Sequence, residues 1–113
     1  MTVKIESQKV GTVDVYAPIG ALADEEAESF SSMLKSRLDE QSLRFVVSLT
    51  EVPYLDSVAL EGLLDAAEQS LSRNTQLKLT CVPPTCREIL ELTGLSRHFQ
   101  IFETVEDAVR SFR

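Results

Sequence analysis

Asp56 and Ser57 stand side by side within the stretch VPYLDSVALEGLL, residues 52–64. An apolar run (Phe45-Val46-Val47-Ser48-Leu49) precedes them, and a helical pattern (Leu60, Leu63, Leu64, Ala67, Leu71) follows. A carboxylate and a hydroxyl where a strand hands over to a helix suit two tasks. One is to cap the helix, since side-chain oxygens accept the unpaired amides of a first turn. The other is nucleophilic catalysis, which needs a histidine in reach. The only histidine is His98, in the loop Gly94-Leu95-Ser96-Arg97-His98, and a Ser57–His98–Asp56 triad exists on paper alone.

Other chemistry is sparse. Cys81 and Cys86 form a C-x4-C pair without a nearby histidine, a poor zinc site, and read as two small buried apolar side chains. The four glycines are scattered and none begins a phosphate-binding loop. The acids 24–28 read as a solvated helix face, and Arg87, Arg97 and Arg110 define no basic patch. These features lead us to expect no enzyme, no cofactor and no metal.

The elements that must hold Asp56 and Ser57 follow from periodicity. Val3-Lys4-Ile5 and the alternating Val13-Asp14-Val15-Tyr16-Ala17 read as strands of a hairpin turning through Ser7-Gln8-Lys9, with Pro18 and Gly20 closing the second. Asp24-Glu25-Glu26 supplies a cap and first-turn acids for a helix burying Ala27, Phe30, Leu34 and Leu38. Residues 43–49 are nearly continuous in apolar side chains, as a central strand covered on both faces requires. The helix after Ser57 should end near Ser72-Arg73-Asn74. Residues 77–82 read as another interior strand. The next helix starts at Pro83-Pro84 or at a capping box of Thr85 with Glu88, turns Ile89 and Leu90 inward, and stops at Thr93-Gly94. Residues 99–102 form a short strand, and Thr104 caps a last helix carrying Val105, Ala108, Val109 and Phe112. The order β-β-α-β-α-β-α-β-α predicts an α/β fold with a mostly parallel, mixed sheet of about five strands and about four helices.

The 113 residues suit a single domain, 1–113. The net charge of −7 repels phosphate backbones and anionic membranes, which argues against a nucleic-acid partner. No apolar run approaches the length of a membrane span, and the first residues lack the apolar core of a signal peptide. A cytoplasmic protein without membrane insertion is the expectation.

YLDSVALEGLL resembles the Asp-Ser signature of STAS domains, the fold shared by anti-sigma factor antagonists and the cytoplasmic tails of sulfate transporters. Gly20-Ala21-Leu22 resembles the family's Gly-x-Leu before the first helix, and CVPPTCREILELTGLSRHFQIFETVEDAVRSF resembles its C-terminal half. In the antagonist branch the serine after the aspartate is the phosphoacceptor of a partner that is both kinase and anti-sigma factor. The resemblance implies that role for Ser57, with a phosphatase reversing the modification. It also implies a partner surface of Asp56, Ser57, Val58 and Glu61 with Gly20, Leu22 and Asp24. Phosphate adds about −1.5 to −2 charges, which the helix N-terminus should tolerate and a partner interface should not.

Where the family has Asp-Ser-Ser/Thr-Gly-Leu-Gly, this chain has Val58, Ala59 and Glu61 in place of the second hydroxyl and both glycines. Glu61, four residues after Ser57, sets a carboxylate on the same helix face. Two other readings stay open: a non-phosphorylated STAS subunit of a lipid-transport ATPase, and a small-ligand or nucleotide sensor. Monomer and homodimer are both open as well.

Overall fold

The computed structural model describes residues 4–39 and 44–112. Five strands form one sheet in the order β1-β2-β3-β4-β5. In chain order the elements are β1 (Lys4–Val10), β2 (Val13–Ile19), α1 (Asp24–Asp39), β3 (Phe45–Ser48), α2 (Ser57–Ser72), β4 (Lys78–Thr80) and α3 (Pro84–Leu92). A 3-10 turn (Ser96–His98), β5 (Gln100–Phe102) and α4 (Val105–Arg110) complete them. β1 pairs antiparallel with β2; every other neighbouring pair is parallel. The α/β architecture expected from the element order is therefore present, with Val46 and Val47 in a central strand between β2 and β4.

Strand alternation divides the core in two. Val47 and Leu79 face one side, where Phe30, Leu34, Leu63, Cys86 and Leu90 from α1, α2 and α3 meet them. Val46 points the other way, onto Ala108 of α4, with Phe102, Val109 and Phe112 packed around. This two-sided cover is why the sequence of β3 does not alternate. The α1 residues expected inside, Ala27, Phe30, Leu34 and Leu38, are all fully buried.

Several boundaries differ from expectation. Ser7-Gln8-Lys9 lies within β1, and the hairpin turns at Gly11-Thr12. An edge strand needs no apolar face to remain in a ladder, so its polar centre imitates a turn. Val3 and Leu43 lie outside the described residues. Leu49 falls just past β3, yet is fully buried. β4 is shorter than residues 77–82 because Cys81 adopts a left-handed backbone, φ 55°. Cys86 is buried as expected, but Cys81 is only half-buried. In α3, Pro83 takes the cap position without a side-chain bond, so the proline start prevails over the Thr85 capping box. Cys86 and Leu90 are its buried residues, while Ile89 is half-buried.

On α2 the buried residues are Ala59, Leu63, Ala66, Ala67 and Ser70. Leu71, the last member of the apolar helical pattern, is 65% exposed. The helix thus presents mostly small side chains to the core, and Gly62 sits hard against α1. A Cβ added there would lie 2.0 Å from Ser31 Oγ and 2.7 Å from Ser31 Cβ.

Candidate functional site

Parallel strands carry their C-terminal ends to one edge of the sheet, the edge where α/β sheets usually place function. Beyond the regular ladder of β2 and β3, the two following loops continue side by side. Ile19 bridges Glu51, and Leu22 bridges Leu55, both in parallel register. The Gly20 amide donates to Glu51 O at 2.9 Å, the Leu22 amide to Tyr54 O at 3.1 Å, and the Asp56 amide to Leu22 O at 3.0 Å. Gly20 has φ 101°, a conformation that a side chain would strain. This zipper brings the N-termini of α1 and α2 together.

Asp56 joins them. Its backbone is extended, and its side chain caps α2: Oδ1 accepts the Ala59 amide at 3.0 Å. Oδ2 accepts the Asp24 amide, at the start of α1, at 2.8 Å. Asp24 holds φ 54°, a left-handed conformation that costs a non-glycine residue roughly 1–2 kcal/mol. The amide bonds from Ala59 and then Asp24 hold the Asp56 carboxyl below its ordinary value, against an opposing push from burial.

That bridge reassigns several residues. Both Asp56 oxygens serve backbone amides, so Asp56 supports the site from within and is not available to orient His98 in a triad. Ser57, the first residue of α2, is exposed and relieved of capping. Glu61 is exposed on the same helix, and Val58 is half-buried against the main core. Asp24 is exposed beside them. Leu22 is fully buried, so it can reach a partner only through the loop it anchors. Gly20, Asp24 and Tyr54 share an open cleft of about 480 Å³ with Lys4, Ala23 and Glu26.

Tyr54, 47% exposed at this edge, was not singled out by its sequence pattern. The signal was present in Pro53-Tyr54: a bulky side chain in a short loop has little core to enter. Cys86 lies below the loop, its Sγ donating to Val52 O at 3.2 Å. Among the described residues no group of three or more His, Cys, Asp or Glu could hold a metal ion. No helix there is long and apolar enough to cross a membrane.

Known proteins resemble this chain in sequence and in fold. BtrV of Bordetella bronchiseptica, named as an anti-sigma factor antagonist, is 24% identical over 110 residues, 97% of this chain and 95% of its own. A crystal structure of an anti-sigma factor antagonist from Mycobacterium paratuberculosis has a TM-score of 0.84 at 23% identity, covering 96% of this chain and 92% of that one. Unphosphorylated SpoIIAA, also an anti-sigma factor antagonist, has a TM-score of 0.80 at 16% identity, covering 97% and 96%. At these identities the structural likeness establishes the fold. The STAS domain model matches residues 4–108, nearly the whole chain, and this protein belongs to the STAS domain family.

Proposed function

We propose that the protein is an anti-sigma factor antagonist of the cytoplasm, a non-catalytic binding module switched at Ser57. The observation that carries this reading is the exposed Ser57 hydroxyl, set at the start of α2 by an aspartate that has taken over the capping. The likeness to proteins named as antagonists supports it. The unmodified form binds an anti-sigma factor through the edge formed by Ser57, Val58, Glu61, Tyr54 and the Gly20–Asp24 loop. The same partner acts as a serine kinase: the γ-phosphoryl group of ATP passes to Ser57 Oγ, the hydroxyl proton to a base of the kinase, and ADP leaves. A phosphatase returns the hydroxyl with water. The dianion ends binding because a desolvated interface cannot hold it among the carboxylates of Asp24 and Glu61.

Glu61 favours a second reading, a scaffold subunit of a lipid-transport ATPase that is never phosphorylated, since it opposes the approach of ATP phosphates. Partner capture from the source cell separates the two, with wild-type, Ser57→Ala and Ser57→Asp baits and mass spectrometry of Ser57. The antagonist reading expects an anti-sigma factor on the first two baits, its loss from the third, and phosphate on Ser57. Equal recovery of a transport ATPase on all three supports the scaffold.

A further inference from the structure

We infer that Cys86 of α3 is a positioning residue for the Ser57 edge, its thiol holding the loop between β3 and α2 from below through a hydrogen bond. Carbonyls of that loop are gripped from two sides. Glu51 O and Tyr54 O accept the amides of Gly20 and Leu22, which ties the loop sideways to the segment before α1. Between them, Val52 O is met from inside, where Cys86 Sγ donates to it at 3.2 Å. Val52 is 1% exposed and Cys86 fully buried, so the bond lies out of reach of bulk water. Among the described residues no backbone amide reaches the Val52 carbonyl.

A thiol is a weak donor, but a buried carbonyl deprived of its donor costs more than the bond itself is worth. Burial pushes the Cys86 thiol above its ordinary value, which keeps the S–H proton in place. The chain gives this carbonyl leverage over the edge. Val52 is pinned on its amide side too, where it donates to Leu49 O at 3.0 Å and closes a tight turn. Pro53 follows, and its ring fixes φ at about −65°. A tilt of the Val52 carbonyl is therefore passed on to Tyr54, whose own carbonyl is a rung of the zipper. The Asp56 amide is the next rung, and Ser57 follows it directly. In this way α3, which supplies no residue of the proposed partner surface, supports it from within.

This inference rests on the Ser57 edge being the binding surface, but its test needs no partner. Amide hydrogen exchange is measured at Leu22 and Asp56 as a ratio to the amides of β3, in wild type, Cys86→Val and Cys86→Ala. Valine fills the space without a donor, whereas alanine lacks both the donor and the bulk. Each variant should speed the edge amides relative to β3 by about tenfold, the scale of an unmet buried carbonyl. A ratio in Cys86→Val equal to that of wild type would show that the thiol only fills space, and would overturn the inference. So would a change at the edge that merely matches the change in β3. A second measurement keeps Cys86 in place. In Cys81→Ser the single remaining S–H stretching band should lie below that of an alkanethiol in an apolar solvent, as a hydrogen-bonded thiol requires. A band at the free-thiol frequency would overturn the inference equally. If Ser57 proves not to govern partner binding, the capture experiment reports that separately and leaves these ratios untouched.

Discussion

Asp56 spends both carboxylate oxygens on backbone amides of different helices, and this makes it the most consequential single residue of the site. Its replacement by alanine leaves one helix end uncapped and frees the Asp24 amide. Losing a cap of this kind costs about 0.5–2 kcal/mol. Asp56→Asn should fall between wild type and Asp56→Ala, because asparagine can still cap α2 while its amide group cannot accept from Asp24. The pH dependence has a definite sign. The folded carboxyl titrates below its unfolded value of about 3.9. Its stabilising contribution is therefore present above that unfolded value and lost as pH falls through the lower folded one. Urea unfolding at neutral pH and again well below pH ~4 should show the advantage of wild type over Asp56→Asn shrinking in acid. An unchanged gap would mean that the carboxylate charge adds nothing to the bridge. The sequence made the capping half of this legible, since an aspartate before an apolar helical pattern has few other tasks. The second half was not legible, because the Asp24 amide lies 32 residues away and reaches Asp56 only through the parallel zipper of two loops.

Among the elements, α2 carries the site, and its packing explains where periodicity misled. Counting large apolar residues carries the helical pattern on to Leu71, but the face against the core is built from Ala59, Ala66, Ala67 and Ser70 around Leu63. Small side chains let a helix lie close to its neighbours, and hydropathy alone under-weights them. Gly62 shows how close. Alanine is the better helix former by about 1 kcal/mol, so an open position would gain stability. At Gly62 the added Cβ would stand 2.0 Å from Ser31 Oγ and 2.7 Å from its Cβ. Overpacking of this kind costs about 1–3 kcal/mol, enough to reverse the sign. Gly62→Ala should therefore lower the melting temperature. Ser31→Ala in the same chain should recover part of the loss by removing the Oγ contact, while the Cβ contact at 2.7 Å keeps the double variant below wild type; Ser31→Gly removes both contacts but gives back about 1 kcal/mol of helix propensity. Thermal melts of the three variants decide the matter. β1 teaches the complementary lesson: its polar centre follows from being an edge strand, and solvent exposure erased the alternation that would have revealed it.

At the scale of the whole molecule, the sheet separates a large core under α1, α2 and α3 from a smaller one under α4. The smaller one contains a buried cation. Lys78 donates to Gln100 Oε1 and lies 5.5 Å and 4.7 Å from the ring centres of Phe102 and Phe112. Desolvation holds its ammonium below the ordinary value, so the rings do not fully replace water. Lys78→Met should be at least as stable as wild type in urea at neutral pH; a clear loss would show that the cation–π contacts outweigh desolvation. The element order and the two-sided cover of β3 were readable from sequence. The lysine was not, since Lys78-Leu79-Thr80 reads as an ordinary half-apolar strand until α4 folds over it. The same sheet brings together the loops of the proposed binding edge, and the proposed switch at Ser57 leaves the fold intact. The most direct measurement is calorimetric titration of the captured anti-sigma factor with unmodified protein and with protein carrying phosphoserine at position 57, each checked by melting. The phosphorylated form should bind at least about tenfold to a hundredfold more weakly, or about 1.4–2.8 kcal/mol. Equal affinities from two well-folded forms would contradict it and leave Ser57 as merely the first residue of a helix.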